Sequence, residues 1–474
     1  MKRALEQFIG SARWFGGKGR GFAVGDVRRL AWMGAGRNGG QENPRARIEL
    51  VTIEYDDGAS DLYQVPLAYY AEPQTRLEHA LVGQWEDEEF GQVFVYDALQ
   101  DRNATVLWLR AFDTRHTDDE VAFHRVEGYE LDLEAPSSLF SGEQSNSSVR
   151  FSEDSLLKVF RKVTPGRNPD IEIHEALTRV ENEHVPALYG WLEAVADDSD
   201  EPLQLAMLQQ FLRTASDGWE LALASVRDLF AEADLHADEV GGDFAGESQR
   251  LGVATAEVHD ALSHVFPTES WGVQELGELA GAMRQRLDEA LHVVPDLNER
   301  ADDLREAFDA VTRLTEPVVV QRIHADFHLG QTLRTVRGWK IVDFEGEPAK
   351  PLADRMRTDS AWRDVAGMLR SFDYAAHAVE ADVESEGAQI SYRALEWVER
   401  NRNAFLAGYV EASDRTKGGE LSGDQEVLLR AYEVDKAVYE TVYEARNRPD
   451  WITIPLAAIE RLTTTGADQE TSSE

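Results

Sequence analysis

The sequence contains no cysteine, few lysines and no long apolar run, and each absence excludes a class of protein. Without cysteine, the 474 residues cannot form disulfides or thiolate metal sites. Residues 1–8 include an acidic residue and lack an apolar core, so we expect no signal peptide. No apolar stretch approaches the ~20 residues that a membrane helix needs, so we expect no membrane partner and a cytoplasmic location.

Lysine supplies only eight of the 48 basic residues, and 88 acidic residues give a formal net charge of −40. Such a surface repels nucleic acid and anionic lipid, so we expect neither as a partner. It also repels nucleotides at long range, so a nucleotide site would depend on local cations and backbone amides. The simpler interpretation of the acidity is solubility. Hydrophobic residues make up 42% of the chain, and its length predicts two or three globular domains.

The order of strand and helix patterns predicts an α+β protein in three parts. Residues 1–86 predict a β-rich cap, because Ala46–Tyr55 and Leu62–Leu67 flank the hairpin signal Asp56-Asp57-Gly58. Residues 87–212 predict an N-lobe with strands at Gly91–Tyr96, Thr105–Phe112, Ser155–Phe160 and Leu203–Leu208. Residues 213–474 predict a mostly helical C-lobe, with helical patterns over about 217–230, 247–265, 273–312, 383–412 and 424–446.

The stretch from Val318 to Glu345 carries the densest group of residues able to do chemistry. The apolar strand Val318–Val320 precedes a loop with Asp326 and, five positions later, Gln331. Two short strands follow, and the second of them ends on the acidic pair Asp343 and Glu345. An acid near a loop end can accept a hydroxyl proton, while an amide and carboxylates can hold Mg²⁺ against nucleotide phosphates. The spacing predicts phosphoryl transfer, with Asp326 as the base and with Gln331, Asp343 and Glu345 as metal ligands.

Other interpretations of this stretch remain open. His324 more plausibly holds the loop through a backbone hydrogen bond than takes part in catalysis. A hydrolytic metal centre could instead use His324, Asp326, His328 and Asp343, although no HExxH helix is present and Lys158 would have no role. The loop could also be a capped turn in an inert domain.

Lys158 stands on an apolar strand and therefore needs an anionic partner. We predict two, a nucleotide phosphate and a carboxylate on the following helix, with Glu172 preferred to Glu175. The polar loop 139–151 would cover the phosphates with Ser145 and Ser147, and Gln210 would face the base. ATP would then lie between Lys158 and Asp343.

The helical pattern 424–446 places aromatic and charged side chains near one helix end, where they could stack on a sugar and bind its hydroxyls. Aromatic residues at helical spacing suit a protein core equally well. The predicted sugar contacts are His324, Asp326, Arg355, Tyr439, Arg446 and Trp451.

Eight segments resemble the maltokinases, which belong to the eukaryotic-like kinase and aminoglycoside phosphotransferase superfamily. They are RWFGGKGR (13–20), EQSNSSV (143–149), LLKVFRKVTPGRNPD (156–170), LQQFL with DGWELALASV (208–226), HADFHLGQ (324–331), DFEGEP (343–348), DSAWRDVAGMLRSFDYAA (359–376) and VYEARNRPDW (442–451). The resemblance implies a bilobal protein-kinase-like fold behind an N-terminal cap, and it implies use of ATP and Mg²⁺.

The resemblance further implies transfer to the anomeric hydroxyl of maltose, giving maltose 1-phosphate, and a functional link to trehalose-processing enzymes in glycogen metabolism. We expect a small-molecule sugar substrate and a monomer or weak dimer. Ala325 stands where the family usually has Gly or Ser, and Phe327 where Leu is common, which leaves the sugar less certain. The alternatives are a kinase for another sugar such as glucosamine and a non-catalytic binding module on a kinase scaffold.

Overall fold

The computed structural model describes residues 1–33, 44–140, 145–196, 201–232, 234–348, 350–382, 388–416 and 419–471. Residues 34–43 of the predicted cap, part of the polar loop at 139–151 and the predicted helix start at 383 lie outside the described residues. The chain forms two compact units, residues 1–178 with 186–213 and residues 179–185 with 214–474. Within the described ranges, no helix has the length and apolar character needed to span a bilayer.

The first unit contains two antiparallel sheets. Its strands are β1 Phe22–Arg29, β2 Arg45–Tyr55, β3 Ser60–Tyr70, β4 Leu81–Asp87, β5 Gly91–Asp97, β6 Val121–Arg125, β7 Ser137–Phe140, β8 Ser147–Phe151, β9 Ser155–Val159, β10 Lys162–Val163, β11 Leu188–Val195 and β12 Pro202–Gln210. The first sheet has the order β1-β2-β3-β5-β4, with β10 on β3, and the second has the order β6-β11-β12-β9-β8-β7. The predicted strands around the Asp56-Asp57-Gly58 turn and around Lys158 are confirmed.

The helices of the first unit are α1 Lys2–Ser11, α2 Arg102–Thr114 and α3 Pro169–Arg179. The predicted strand Thr105–Phe112 is therefore wrong. The Asp101 side chain accepts a hydrogen bond from the Asn103 amide at 3.1 Å and caps a helix. Buried side chains at Thr105, Trp108, Leu109 and Phe112 follow the helical period instead of alternating.

The first sheet extends beyond the predicted cap. The predicted boundary at residue 86 falls within β4, and β4 pairs with β5, so a cut there would divide the sheet. The β-rich character of this region is confirmed, and the division of the chain into three parts stays a prediction.

The second unit is mostly helical. Its strands are β13 Ser216–Asp217, β14 Glu269–Trp271, β15 Val318–Val320, β16 Thr332–Thr335 and β17 Gly338–Ile341, and its helices are α4 Gly218–Ala231, α5 Ala245–Val265, α6 Val273–Val293, α7 Ala301–Ala310, α8 Leu352–Arg355, α9 Trp362–Asp382, α10 Ala388–Ala412, α11 Gly423–Asn447 and α12 Thr453–Thr471. β16 and β17 form the predicted hairpin. The predicted helix 273–312 is interrupted by a 3-10 turn at Pro295–Arg300, because proline has no N–H to continue the helical hydrogen bonds.

Buried ion pairs connect three helices of the second unit. The Arg370 guanidinium on α9 is 1% exposed, donates to Glu440 of α11 at 2.8 and 2.9 Å and also pairs with Asp373. Asp373 accepts hydrogen bonds from Arg461 of α12 at 2.8 and 2.9 Å. Burial alone would raise the pKa of Asp373, but its arginine partners lower it to about 2. These contacts fix α11 against α9 and α12.

Helices α5 and α10 approach so closely that one position in their interface admits no side chain. A Cβ atom at Gly252 would lie 2.1 Å from the carbonyl oxygen of Phe405. We expect Gly252→Ala to destabilise the protein by ~1–3 kcal/mol, since the backbones must move apart. The measurement is thermal unfolding.

Gly277→Ala on α6 is the matched control, because a Cβ atom there meets nothing within 4 Å. Alanine is the better helix former, so this change should stabilise the protein by ~0.5–1 kcal/mol. Equal effects of the two substitutions would show that the close approach of α5 and α10 does not limit stability.

Candidate active site

A buried carboxylate on α9 holds the loop that carries Asp326. Asp364 is 1% exposed and accepts hydrogen bonds from the backbone amides of His324 at 2.7 Å and Ala325 at 2.9 Å. The amides therefore point at α9, and the direction of the chain leading into Asp326 is fixed. Hydrogen bonds to a charged acceptor are among the stronger ones in proteins.

His259 of α5 supports Asp364 from behind. Its Nε2 donates to Asp364 Oδ2 at 3.1 Å, and its Nδ1 accepts from the Tyr409 hydroxyl at 2.9 Å. Burial alone would raise the pKa of Asp364, but His259 and the backbone amide of His324 hold it below its usual range. The carboxylate is thus kept ionised, as an acceptor for both amides.

The backbone is strained at two residues next to the predicted chemistry. Ala325 and Asp343 both have φ of 68°, in the left-handed region that non-glycine residues seldom occupy. Such residues persist only where the surrounding structure over-determines them, and they are frequent in active sites. Next to this loop, Gly367 of α9 leaves room for Phe327, whose carbonyl oxygen would lie 2.6 Å from a Cβ atom at that position.

His324 has the structural contact that the sequence predicted. Its side chain is 2% exposed, and Nε2 lies 3.0 Å from the carbonyl oxygen of Val342, the residue before Asp343. The ring packs between Phe327 and Phe344, at centroid distances of 5.3 and 4.8 Å. His324 therefore joins the two loops, and this position leaves its predicted contact with the sugar without support.

Two of the predicted metal ligands are neighbours in the second unit. The Gln331 amide nitrogen lies 3.4 Å from Asp343 Oδ2, and the Val342 amide donates to the Gln331 carbonyl at 3.0 Å. The Gln331 amide oxygen and the second Asp343 oxygen are hard donors of the kind Mg²⁺ prefers. The chemistry of these donors therefore fits the predicted ion. Arg355 donates to the backbone carbonyl of Glu345 at 3.0 Å and supports this loop.

Asp326 lies on the wall of a cavity of about 300 Å³ in the second unit. Its side walls come from α6, α9 and α11, and from the loops around Asp326 and Glu347. The lining residues are Leu279, Ala282, Arg286, Ala325, Asp326, Phe327, Glu347, Lys350, Asp359, Arg363, Asp364, Gly367, Tyr432, Asp435, Lys436 and Tyr439. Of the predicted sugar contacts, Tyr439 thus shares this cavity with Asp326.

Ion pairs order the walls of this cavity. Arg286 donates to both oxygens of Asp435 at 2.8 Å. Arg363 donates to Asp359 at 2.8 Å and to Glu347 at 2.6 Å. Burial alone would raise the pKa of Glu347, but Arg363 and Lys350 hold it below its usual range. The cavity therefore presents fixed charges of both signs.

The other predicted sugar residues lie elsewhere. Trp451 lines a separate open cavity with His377 and Asp450, and Arg446 is exposed. The Arg448 guanidinium lies 4.5 Å from the Trp451 ring and 5.6 Å from the Tyr443 ring. Tyr439 and Tyr443 are 46% and 44% exposed, with ring centroids 6.5 Å apart. The aromatic face of α11 thus continues outward from Tyr439.

In the first unit, Lys158 forms an ion pair with Asp170 at 2.8 Å, a partner that the sequence did not predict. Asp170 is 1% exposed and lies one helical turn before buried His174, whereas Glu172 and Glu175 occupy half-buried positions of α3. Burial alone would raise the pKa of Asp170, but Lys158 and His174 hold it far below its usual range. The predicted helix therefore supplies the carboxylate partner of Lys158, but this carboxylate is Asp170 and not Glu172.

The remaining predicted nucleotide residues also belong to the first unit. Ser145 is exposed, whereas the Ser147 hydroxyl is buried and accepts a hydrogen bond from Arg161 Nε at 2.8 Å. Gln210 ends β12, where its backbone amide donates to the Ala187 carbonyl at 2.8 Å. The arrangement gives Ser147 a structural partner that the sequence did not predict.

Known proteins resemble this chain in sequence and in fold. The family model of the maltokinase N-terminal cap domain matches residues 8–101. The N-terminal part of the chain is therefore similar to the cap domain of maltokinases. A glucosamine kinase of Streptacidiphilus jiangxiensis is 28% identical to it over 332 residues, 66% of the chain and 70% of the relative. A glucosamine kinase of Mycolicibacterium smegmatis is 27% identical over 339 residues, 68% of the chain and 78% of the relative.

A solved structure shares the fold of this chain. Glucosamine kinase in complex with glucosamine, ADP and inorganic phosphate superposes with a TM-score of 0.69 and 22% identity, covering 96% of this chain and 98% of the other. The predicted α+β class and kinase-like fold are confirmed.

The contacts of Asp364 predict a local and measurable defect when its charge is removed. Asp364→Asn should reduce the free energy of unfolding by ~2–3 kcal/mol. The new side-chain amide cannot accept hydrogen bonds from the two backbone N–H groups and from His259 together. Hydrogen exchange at the His324 and Ala325 amides should accelerate more than exchange elsewhere in the second unit.

Asp354→Asn is the control, since that side chain is 39% exposed and pairs at 3.1 Å with the more exposed Arg357. It should change stability by less than ~0.5 kcal/mol. Unchanged exchange at residues 324 and 325 in the Asp364 variant would show that this carboxylate does not hold the loop.

Proposed function

We propose that this protein is an ATP-dependent sugar kinase. Its aligned relatives are glucosamine kinases, and the glucosamine kinase that shares its fold was solved with ADP. The observation that carries the proposal is the position of Asp326, held by the Asp364-bound loop on the wall of a cavity with polar and aromatic sides. A cavity of about 300 Å³ has the size of a small-ligand site.

Asp326 is proposed as the catalytic base. The acceptor hydroxyl would bind in the cavity within hydrogen-bonding reach of its carboxylate, which orients the hydroxyl and takes its proton. An ordinary carboxylate suffices, because the proton moves late in a loose phosphoryl-transfer transition state. Lys158, held by Asp170, is proposed to contact the nucleotide phosphates.

Gln331 and Asp343 are proposed to hold Mg²⁺, with Glu345 as a further ligand. When bound, the ion would neutralise charge on the nucleotide phosphates. The strained backbone of Asp343, together with the hydrogen bond between Val342 and Gln331, fixes these donors beside each other. The protein thus supplies a preorganised pair of oxygen donors.

Maltose is the first candidate for the acceptor, phosphorylated at its anomeric hydroxyl to maltose 1-phosphate and linked to trehalose and glycogen metabolism. The cap match and the aromatic face from Tyr439 to Tyr443 support a disaccharide, which can stack on successive rings. Glucosamine is the second candidate, because two of the aligned relatives are glucosamine kinases. Against it, Glu347, Asp359 and Asp435 in the cavity are paired with protein cations.

An ATP-consumption assay separates these candidates. We expect sugar-dependent ADP release with Mg²⁺ and none with EDTA, tested on maltose, glucosamine, glucose and trehalose. Preference for maltose would support the first candidate and preference for glucosamine the second. ADP release that no sugar increases would contradict the proposed function.

Asp326→Asn tests the assignment of the base. Removing the proton acceptor while keeping the shape should lower kcat on the best sugar by ~10²–10⁴-fold. The KM for ATP should change little, because the substitution leaves the nucleotide contacts in place. Turnover close to that of the wild type would show that Asp326 is not the base.

A further inference from the structure

We propose that Lys436 is a second catalytic residue, whose ammonium contacts the transferred phosphoryl group on the acceptor side of the cavity. This inference rests on the proposed sugar-kinase function. Lys436 stands on α11 and lines the same cavity as Asp326. Its Nζ lies 4.0 Å from Asp326 Oδ1, and the two side chains are 32% and 26% exposed.

The other cations of the cavity are engaged at shorter distances. Arg286 lies 2.8 Å from Asp435, Arg363 lies 2.6 Å from Glu347, and Lys350 lies 3.0 Å from the same glutamate. These distances are those of charge-assisted hydrogen bonds. At 4.0 Å from Asp326, Lys436 is beyond hydrogen-bonding distance of that carboxylate. It can therefore reach a group bound beside Asp326 without breaking a hydrogen bond to it.

Contacts of helix α11 hold the Lys436 ammonium at the cavity. Its Nζ lies 5.4 Å from the centre of the Tyr439 ring. Glu440, the residue after Tyr439, is buried and bonded to Arg370. Helix α11 is therefore anchored on its inner side, and Lys436 faces the cavity.

A positive charge at this place would favour the proposed reaction. A lone pair of the acceptor oxygen forms the new O–P bond, and the bond from the γ-phosphorus to the bridging oxygen breaks with its electron pair leaving on ADP. The hydroxyl proton passes to Asp326. The anionic carboxylate and the anionic phosphoryl group thus approach each other across one oxygen atom and repel. A fixed cation beside both offsets that repulsion in the transition state.

The catalytic loop does not supply this cation itself. Residues 324–331 include no lysine and no arginine. Lys436 of α11 places a positive charge beside this loop.

The test compares Lys436→Met with Lys436→Arg, on the sugar that the wild type phosphorylates fastest. We expect Lys436→Met to lower kcat by ~10²–10³-fold, the usual effect of losing one transition-state contact. The KM for ATP should stay within about threefold, and KM for the sugar should change less than kcat. Lys436→Arg keeps the charge and should recover at least about tenfold of the lost kcat. Circular dichroism and thermal unfolding confirm that both variants fold.

Arg305→Met is the control, because it removes an exposed cation paired at 3.1 Å with Asp288, outside the cavity. Its kcat should match the wild type. A higher KM for the sugar with unchanged kcat in Lys436→Met would make Lys436 a binding residue and overturn the proposal, as would wild-type kinetics or no recovery by arginine. If the wild type itself shows no sugar-dependent turnover, the kinase function fails first.

Discussion

The position of Asp326, the proposed base, depends on one carboxylate. Asp364 accepts hydrogen bonds from the backbone amides of the two residues that precede Asp326. The loop would not adopt this path by itself, since Ala325 is in the left-handed region. The energy of that conformation is offset by hydrogen bonds to a buried charge, which His259 in turn keeps oriented. Helices α5 and α9 therefore determine the position of the proposed base.

A second constraint is charge. The proposed function requires a chain of net charge −40 to bind an anionic nucleotide, so each cation of the site must be kept in place locally. The structure does this by surrounding cations with acids: Lys158 with Asp170, and Arg363 with Asp359 and Glu347. Such pairs add little net stability, but they fix direction. Acidic residues of the chain thus hold these cationic side chains in fixed positions.

The sequence predicted the elements with a clear period and the residues with a fixed local spacing. The hairpin at 332–341 and the loop with Asp326 and Gln331 follow from alternation and from the position of polar residues after a strand. The strand prediction for residues 105–112 was wrong because their apolar residues fit both the strand period and the helical period. The N-terminal cap at Asp101 selects the helix. Asp364, Asp170 and Lys436 gain their roles from contacts across 12 to 110 positions, which no local pattern contains.

Helix α11 links the cavity to the surface, and its geometry bears on the acceptor. One end of its exposed face carries Lys436 and Tyr439 beside Asp326, and the face continues to Tyr443, which lies near Arg448. Arg370 holds the opposite side of the helix through Glu440, so the helix backbone that carries the aromatic rings is fixed beside the cavity. A single sugar ring needs only the cavity, whereas a second ring would need this face. In the proposed function, α11 would therefore determine the length of the acceptor, while the loop that Asp364 holds would carry out the reaction.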